Sequence, residues 1–323
     1  MQSIQQLQQL VNQSISEKKY PDTPGELYEP ISYLMSLSGK RMRPVMLLLA
    51  CDLFSGSILK ALNPAVGVEM FHNFTLMHDD IMDKAPLRRG NPAVHIKWNE
   101  NIAILAGDTM LVEAYRLMME VDDKILRSVI DIFNDTAEGV CQGQQIDMNF
   151  EQMDGVTVGE YIGMIRLKTA VLLAGSLKIG ALIGGATAAQ ADLLYNFGEN
   201  LGIAFQLQDD ILDVYGDTEK FGKQKGGDII SNKKTFLLIK ALEIAEGLDS
   251  EELKYWIAND QDNENKVIAI TDIYNRLGIR ILAEMEMNDY AEKALRFLED
   301  VSADAEKKKA LRKFAEELLV REN

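Results

Sequence analysis

The chain is poor in several things that would mark a secreted, membrane-bound or nucleic-acid-binding protein. Only two of its 323 residues are cysteine, Cys51 and Cys141, too few for a disulfide framework. Both lie in apolar, helix-like surroundings, which predicts buried, reduced thiols in a reducing compartment. Basic residues are scarce: 34 Lys and Arg face 50 Asp and Glu, a net charge of −16. That deficit excludes nucleic acid and anionic membrane surfaces from the expected partners. Alternating strand patterns are nearly missing. No Gly-, Ser- or Pro-rich linker divides the sequence, so residues 1–323 are expected to form a single domain. A clean membrane span is also missing, since one needs about 20 apolar residues. The best stretch, Ala170 to Ala191, is interrupted by Lys178 and weakened by Gly184-Gly185; it reads as a buried helix packed closely through small residues. The start, Met1-Gln2-Ser3-Ile4, has no basic region leading into an apolar core. The expectation is no secretory signal and a cytoplasmic location.

What is present is helical periodicity almost throughout. Ile4, Leu7, Leu10, Val11 and Ile15 make a first amphipathic stripe. Pro21 and Pro24 stop it, and Thr23 is the expected cap of the next helix. A further helix starts near Arg43-Pro44, and Asn63-Pro64 opens a long one ending near Pro86. The pattern then predicts helices over about 99–119, 122–149, 157–187, 189–215, 233–247, 251–260, 264–288 and 305–320. The segments 216–232, rich in glycine, and 248–265, rich in acid, read as a loop and a surface connection. The fold class is all-α, an antiparallel helical bundle.

Two copies of one signature stand out: Asp79-Asp80-Ile81-Met82-Asp83 and Asp209-Asp210-Ile211-Leu212-Asp213. Residues four apart share a helix face, so Asp79 with Asp83, and Asp209 with Asp213, project together. A single D-D-x-x-D in so acidic a chain reads as readily as a solvated patch as it does as a site. Two copies, each following an apolar run (Phe74, Leu76, Met77; Ile203, Ala204, Phe205, Leu207), read as a site at the mouth of something apolar. Clustered carboxylates call for a hard divalent cation, and Mg²⁺ commonly completes its shell with water and substrate phosphate.

Basic groups complement them. Gly39-Lys40-Arg41-Met42-Arg43-Pro44 sets cations at a glycine turn before a helix start, where anions are favoured. Arg88-Arg89-Gly90 follows the first aspartate cluster closely, and arginine binds phosphate oxygens in a fixed fork. His72 lies two helical turns before Asp79 on nearly the same face, open to a core role or a phosphate contact.

Together, Gly39-Lys40-x-x-Arg43-Pro44, Asp79-Asp80-x-x-Asp83 with Arg88-Arg89-Gly90, Gly143-Gln144-x-x-Asp147, Lys168-Thr169 and Phe205-Gln206-x-x-Asp209-Asp210-x-x-Asp213 resemble the trans-isoprenyl diphosphate synthases, from about residue 28 to 240. The resemblance implies an isoprenoid-synthase bundle around a central apolar cavity, and a Mg²⁺-dependent, head-to-tail condensation. Its substrates would be isopentenyl diphosphate and an allylic diphosphate (dimethylallyl, geranyl or farnesyl). Asp79, Asp80, Asp83, Asp209, Asp210 and Asp213 would serve the metal. Arg88, Lys168, Lys223 and Lys233 would hold the allylic diphosphate, and Gly39, Lys40, Arg43, His72 and Arg89 the isopentenyl diphosphate. Lys168, Thr169 and Gln206 would assist catalysis and stabilise the developing cation. Thr169 has a second reading, a bond to a helical carbonyl, and Gln144 with Asp147 reads either as support for the site or as a hydrogen-bonded structural pair. A homodimer is implied. A terpene cyclase would lack the second D-D-x-x-D, and a non-catalytic subunit would lack some of these residues.

In this family the residues before the first aspartate motif act as a floor for the growing chain. Phe74 is bulky, Thr75 is small, and Phe71 lies a turn below. The pattern implies a C20 product, geranylgeranyl diphosphate, with C15 farnesyl diphosphate as the alternative. Phe71 and Phe74 also fit as ordinary core aromatics.

Overall fold

In the computed structural model, residues 3–54, 57–216, 226–259 and 262–319 are described. The protein is all-α; among these residues the only strands are Leu87–Arg88 and Asn91–Pro92, a small antiparallel pair. Also among them, no helix is long and apolar enough to cross a membrane. The chain divides into two compact units. The first comprises Met1–Asp135, Gly175–Tyr195 and Val301–Arg312, the second Thr136–Ala174, Asn196–Asp300 and Lys313–Asn323.

In the first unit, helix Ile4–Glu17 buries Leu7, Val11 and Ile15, the stripe expected from their spacing. Ser3 starts it through a capping box with Gln6, a device worth about 1 kcal/mol. The following helix, Gly25–Ser36, begins after Pro24, with no side-chain cap; Thr23 is therefore not its cap. The central element is Leu62–Met82, called the Asp79 helix below. Residues 175–183 pack where small side chains were expected to permit it: a Cβ on Gly180 would lie 2.1 Å from the Leu47 carbonyl oxygen. The interrupting Lys178 is neutralised by Asp192 at 2.6 Å. Cys51 is buried as expected, but Cys141 is exposed, because it lies on the outward side of helix Asp123–Phe150.

The helix expected over 157–187, which begins in the second unit, is not regular. It starts at Thr157 with a capping box to Glu160, runs over Val158–Ile165, widens into a π turn over Arg166–Ala170 and continues as Val171–Ile183. The helix Ala188–Tyr215, called the Asp209 helix, carries the second aspartate motif at its end. The expected helix 264–288 is two, Asn263–Arg276 and Ile279–Asp300. Gly278 separates them at φ +67°, a left-handed conformation that ends helices. The acidic 248–265 stretch is largely helical, since Gly247–Ala258 occupies most of it.

Candidate active site

The two D-D-x-x-D motifs lie in different units. In the first, Asp83 is the C-cap of the Asp79 helix and exposed, Asp79 is half-buried, and Asp80 is 1 % exposed. Successive helical residues point about 100° apart, so a doublet at the edge of a buried face sends one carboxylate inward. Asp80 is met there by Arg88, whose Nε lies 3.1 Å from both carboxylate oxygens and whose Nη2 approaches Oδ1 still more closely. A residue expected at a metal and one expected at a phosphate thus neutralise each other.

The basic group stands on the same unit. Lys40 is exposed, while Arg43 and Arg89 are half-buried. Arg43 Nη1 donates to His72 Nε2 at 3.2 Å. Burial, reinforced by Arg43, Arg89, Arg88 and Arg41, holds the His72 imidazole well below the usual histidine range, so it is neutral and accepts. Arg43 Nε is buried with no partner. An N–H of a guanidinium left so is costly unless an anion arrives. Nothing in the local sequence sets Arg41 apart from its neighbours, yet it is buried and paired with Glu69 at 2.6 Å. The readable signal was Glu69 itself, a carboxylate inside an apolar run, which must find a cation.

Below Asp79, Phe71 is 1 % exposed and packs against Phe74, with ring centroids 5.6 Å apart, and against Phe133 at 5.3 Å. Phe74 also meets His78 at 4.8 Å, and Phe133 meets Tyr115 at 4.9 Å. Phe71 is thus a core aromatic, whereas Phe74 is half-buried. Thr75 donates its hydroxyl to the His72 carbonyl. Phe133, from a separate helix, was invisible to local spacing.

In the second unit the π turn presents Lys168 and Thr169. Gly143 makes it possible: a Cβ there would lie 2.3 Å from the Lys168 backbone nitrogen. One turn further along that helix, Asp147 pairs with Lys168 Nζ at 2.5 Å. The Asp147 carboxylate is thus met by Lys168, while Gln144 Oε1 is buried without a partner. Thr169 donates to Gln206 Oε1 at 3.0 Å, rather than to a carbonyl of its own helix, and Gln206 Nε2 donates to Asp210 Oδ1 at 3.0 Å. Tyr161 closes the chain by donating to Asp210 Oδ2. No spacing rule pointed to Tyr161. Asp210 is 3 % exposed; burial, then the charge of Asp228, push its carboxyl up to about 7, against the pull of Lys233. Asp209 is half-buried. Asp213 Oδ2 accepts the Asp228 backbone N–H at 3.0 Å, at the start of the short helix Gly227–Ile230. Lys233 lies 3.8 Å from Asp228; burial opposes its charge, but Asp228, Asp210, Asp147 and Asp209 outweigh this and raise its pKa. Lys223 lies outside the described residues.

Among the described residues, no three His, Cys, Asp or Glu side chains gather into a ready metal cage. The donor set nonetheless suits a hard divalent cation. Both motifs close a helix, where the negative end of the dipole adds to their charge and favours a cation. Mg²⁺ commonly takes only one or two carboxylates and fills its shell with water and phosphate.

Comparison with known proteins follows the same lines. The model of the polyprenyl synthetase family matches residues 24–274. A geranylgeranyl diphosphate synthase of Methanosarcina mazei is 38% identical over 97% of this chain and 95% of its own. A geranylfarnesyl diphosphate synthase of Natronomonas pharaonis is 36% identical over 84% of each. A crystal structure of a geranylgeranyl pyrophosphate synthase superposes with a TM-score of 0.96 at 40% identity, covering 100% of both chains.

Proposed function

Because the chain belongs to the polyprenyl synthetase family, we propose that it condenses isopentenyl diphosphate head-to-tail with allylic diphosphates, with Mg²⁺ as its metal and geranylgeranyl diphosphate as its product. The observation that carries the reading is the basic group around Arg43, with a buried Nε–H that lacks a partner beside a neutral histidine. Such a group awaits a multivalent anion.

Asp79, Asp83 and Asp209 are the proposed metal ligands. Asp80 and Asp210, spoken for by Arg88 and by Tyr161 with Gln206, anchor the motifs instead. Mg²⁺ when bound offsets the charge of the departing diphosphate. Arg88, Lys168 and Lys233 hold the allylic diphosphate; Lys40, Arg43, His72 and Arg89 hold that of isopentenyl diphosphate. As the allylic C–O bond breaks, the carbonyl oxygens of the widened turn, Thr169 Oγ1 and Gln206 Oε1 face the allylic cation with negative partial charge. The isopentenyl double bond attacks that cation, a carbon–carbon bond forms, and a proton leaves to the released diphosphate. Positioning in a water-poor site supplies the rest.

Phe74, half-buried above the core ring of Phe71, is the proposed floor for chain growth. On helix Glu100–Met118, Leu105 and Val112 are 59 % and 54 % exposed, and Met119 follows at 53 %. This apolar stripe at heptad spacing supports a homodimer through that face.

The test is incubation with isopentenyl diphosphate and each allylic primer (C5, C10, C15), with Mg²⁺ or EDTA, resolving products by length. Mg²⁺-dependent C20 is the expected result. A C15 or C25 stop would keep the reaction and correct the product; no condensation by folded protein would overturn the reading. Phe74→Ala should lengthen the product, and an unchanged length would place the floor elsewhere.

A further inference from the structure

A cluster of cations does not stay together unaided, and the first unit gathers Lys40, Arg41, Arg43 and Arg89 in a small space. Arg41 is the odd member. It is 5 % exposed, and its guanidinium is already engaged. Nε donates to Asn12 Oδ1 at 3.0 Å, Nη1 to Glu69 Oε1 at 2.6 Å, and Nη2 to the carbonyls of Met35 and Leu37 at 2.8 and 3.0 Å. Those four bonds take nearly all the donors a guanidinium has, so Arg41 has little left for a phosphate.

Its bonds instead set the shape of the bend. The backbone of Arg41 sits at φ +49°, a region unfavourable for a residue other than glycine, so the bend has to be held from outside. The Leu37 carbonyl that Arg41 grips also accepts from Arg89 Nη1 at 3.3 Å. Arg89 lies against the same bend, where a Cβ on Gly39 would be 3.0 Å from its guanidinium carbon. Glu69, 2 % exposed, is one turn before His72 on the Asp79 helix, and His72 takes Arg43. The charge of Glu69 supports the ionised state of both Arg43 and Arg89 against burial and against their cationic neighbours. One carboxylate therefore serves as counter-charge to three guanidiniums while bonding only one.

We propose that Arg41 and Glu69 are positioning residues for isopentenyl diphosphate, a buried ion pair that fixes the 37–43 bend and aims Lys40, Arg43 and Arg89 without touching substrate. The inference rests on the proposed function above. It has a consequence that simple scaffolding lacks. If Arg41 is removed, Glu69 is released to bind Arg43 or Arg89 and competes with the substrate for them.

The experiment compares Arg41→Gln, Glu69→Gln and the double variant by steady-state kinetics for both substrates. Arg41→Gln should raise KM for isopentenyl diphosphate by about tenfold or more, the scale of a lost charge-assisted bond. KM for the allylic diphosphate and kcat should stay within about twofold. Adding Glu69→Gln should recover part of that KM, since the freed carboxylate is gone. Equal rises in both KM values, or no recovery in the double variant, would overturn the proposal. Should Arg41→Gln not fold, Arg41→Lys, which loses the fork but leaves Glu69 with a cation, should raise KM for isopentenyl diphosphate and leave KM for the allylic diphosphate within about twofold, and equal rises in both would overturn the proposal. If the wild-type protein condenses no primer, the functional reading fails. The pair is then judged by calorimetry with inorganic diphosphate in EDTA, where Arg41→Gln should weaken binding about tenfold and the double variant should regain part of it. Unchanged diphosphate affinity would overturn it there too.

Discussion

In the first unit the buried aspartate of the motif, Asp80, meets a guanidinium; in the second its counterpart, Asp210, meets a phenol and an amide. The five-residue motif and the helix end are the same, so the surroundings alone make the difference. Arg88 cancels the charge of Asp80 outright. Tyr161 and Gln206 can only solvate Asp210, and burial beside Asp228 leaves it with the proton affinity of a group titrating at about 7. The comparison shows that a D-D doublet on a helix divides its labour. One carboxylate of each doublet stays partly exposed, and the other is absorbed by whatever the neighbouring elements offer.

The largest expected effect probes the outward carboxylates, which should behave alike in both units. Asp79→Ala and Asp209→Ala should each lower kcat on the order of a hundred- to a thousand-fold, as loss of a transition-state charge stabiliser does, with thermal unfolding close to wild type. Near-native turnover at saturating Mg²⁺ for either would remove it from the metal site.

The inward carboxylates should behave differently. Asp80→Asn leaves Arg88 facing a neutral amide and should cost about 2 kcal/mol in stability. Asp210→Asn should cost under about 1 kcal/mol, because an amide turned to accept from Tyr161 is tolerated once Gln206 flips. Equal losses in denaturant titrations would erase the distinction. The pH dependence sharpens it. Asp210 titrates higher in the folded protein than in the unfolded chain, so the native state keeps a proton that the unfolded state has released. Stability of the metal-free wild type should therefore fall as pH rises from the ordinary carboxylate range to about 7. Across that window Asp210→Asn should gain on the wild type, and a constant difference in Tm would count against the raised pKa.

Two glycines give a further contrast. At Gly143 an added Cβ would strike backbone, so Gly143→Ala should lose about 1–3 kcal/mol. At Gly39 it would meet the movable end of Arg89, so Gly39→Ala should fold nearly as well while raising KM for isopentenyl diphosphate. A larger stability loss at Gly39 than at Gly143 would reverse the assignment of which contact is rigid.

Helix positions were legible where a strong apolar period ran between clear stops. Expected segments at 99–119, 122–149 and 189–215 match Glu100–Met118, Asp123–Phe150 and Ala188–Tyr215. The break at Gly278 was missed because one glycine does not interrupt a period of 3.6, while its positive φ interrupts a helix. The π turn at Lys168-Thr169 was equally silent. It exists because Gly143 lets another helix press against it, and that is a long-range fact.

The residue types and spacing alone determined that this chain is helical, that it carries two acidic helix ends and two basic clusters, and that these suit a metal and a diphosphate. Such features are local, fixed by periodicity and by charge. Only the tertiary structure decided which aspartate of each doublet is inward, that Arg41 belongs to Glu69 rather than to a ligand, and that Thr169, Gln206, Asp210 and Tyr161 form one chain of hydrogen bonds. Those roles depend on partners distant in sequence, because the energy of a buried charge or donor is set by what the fold places beside it.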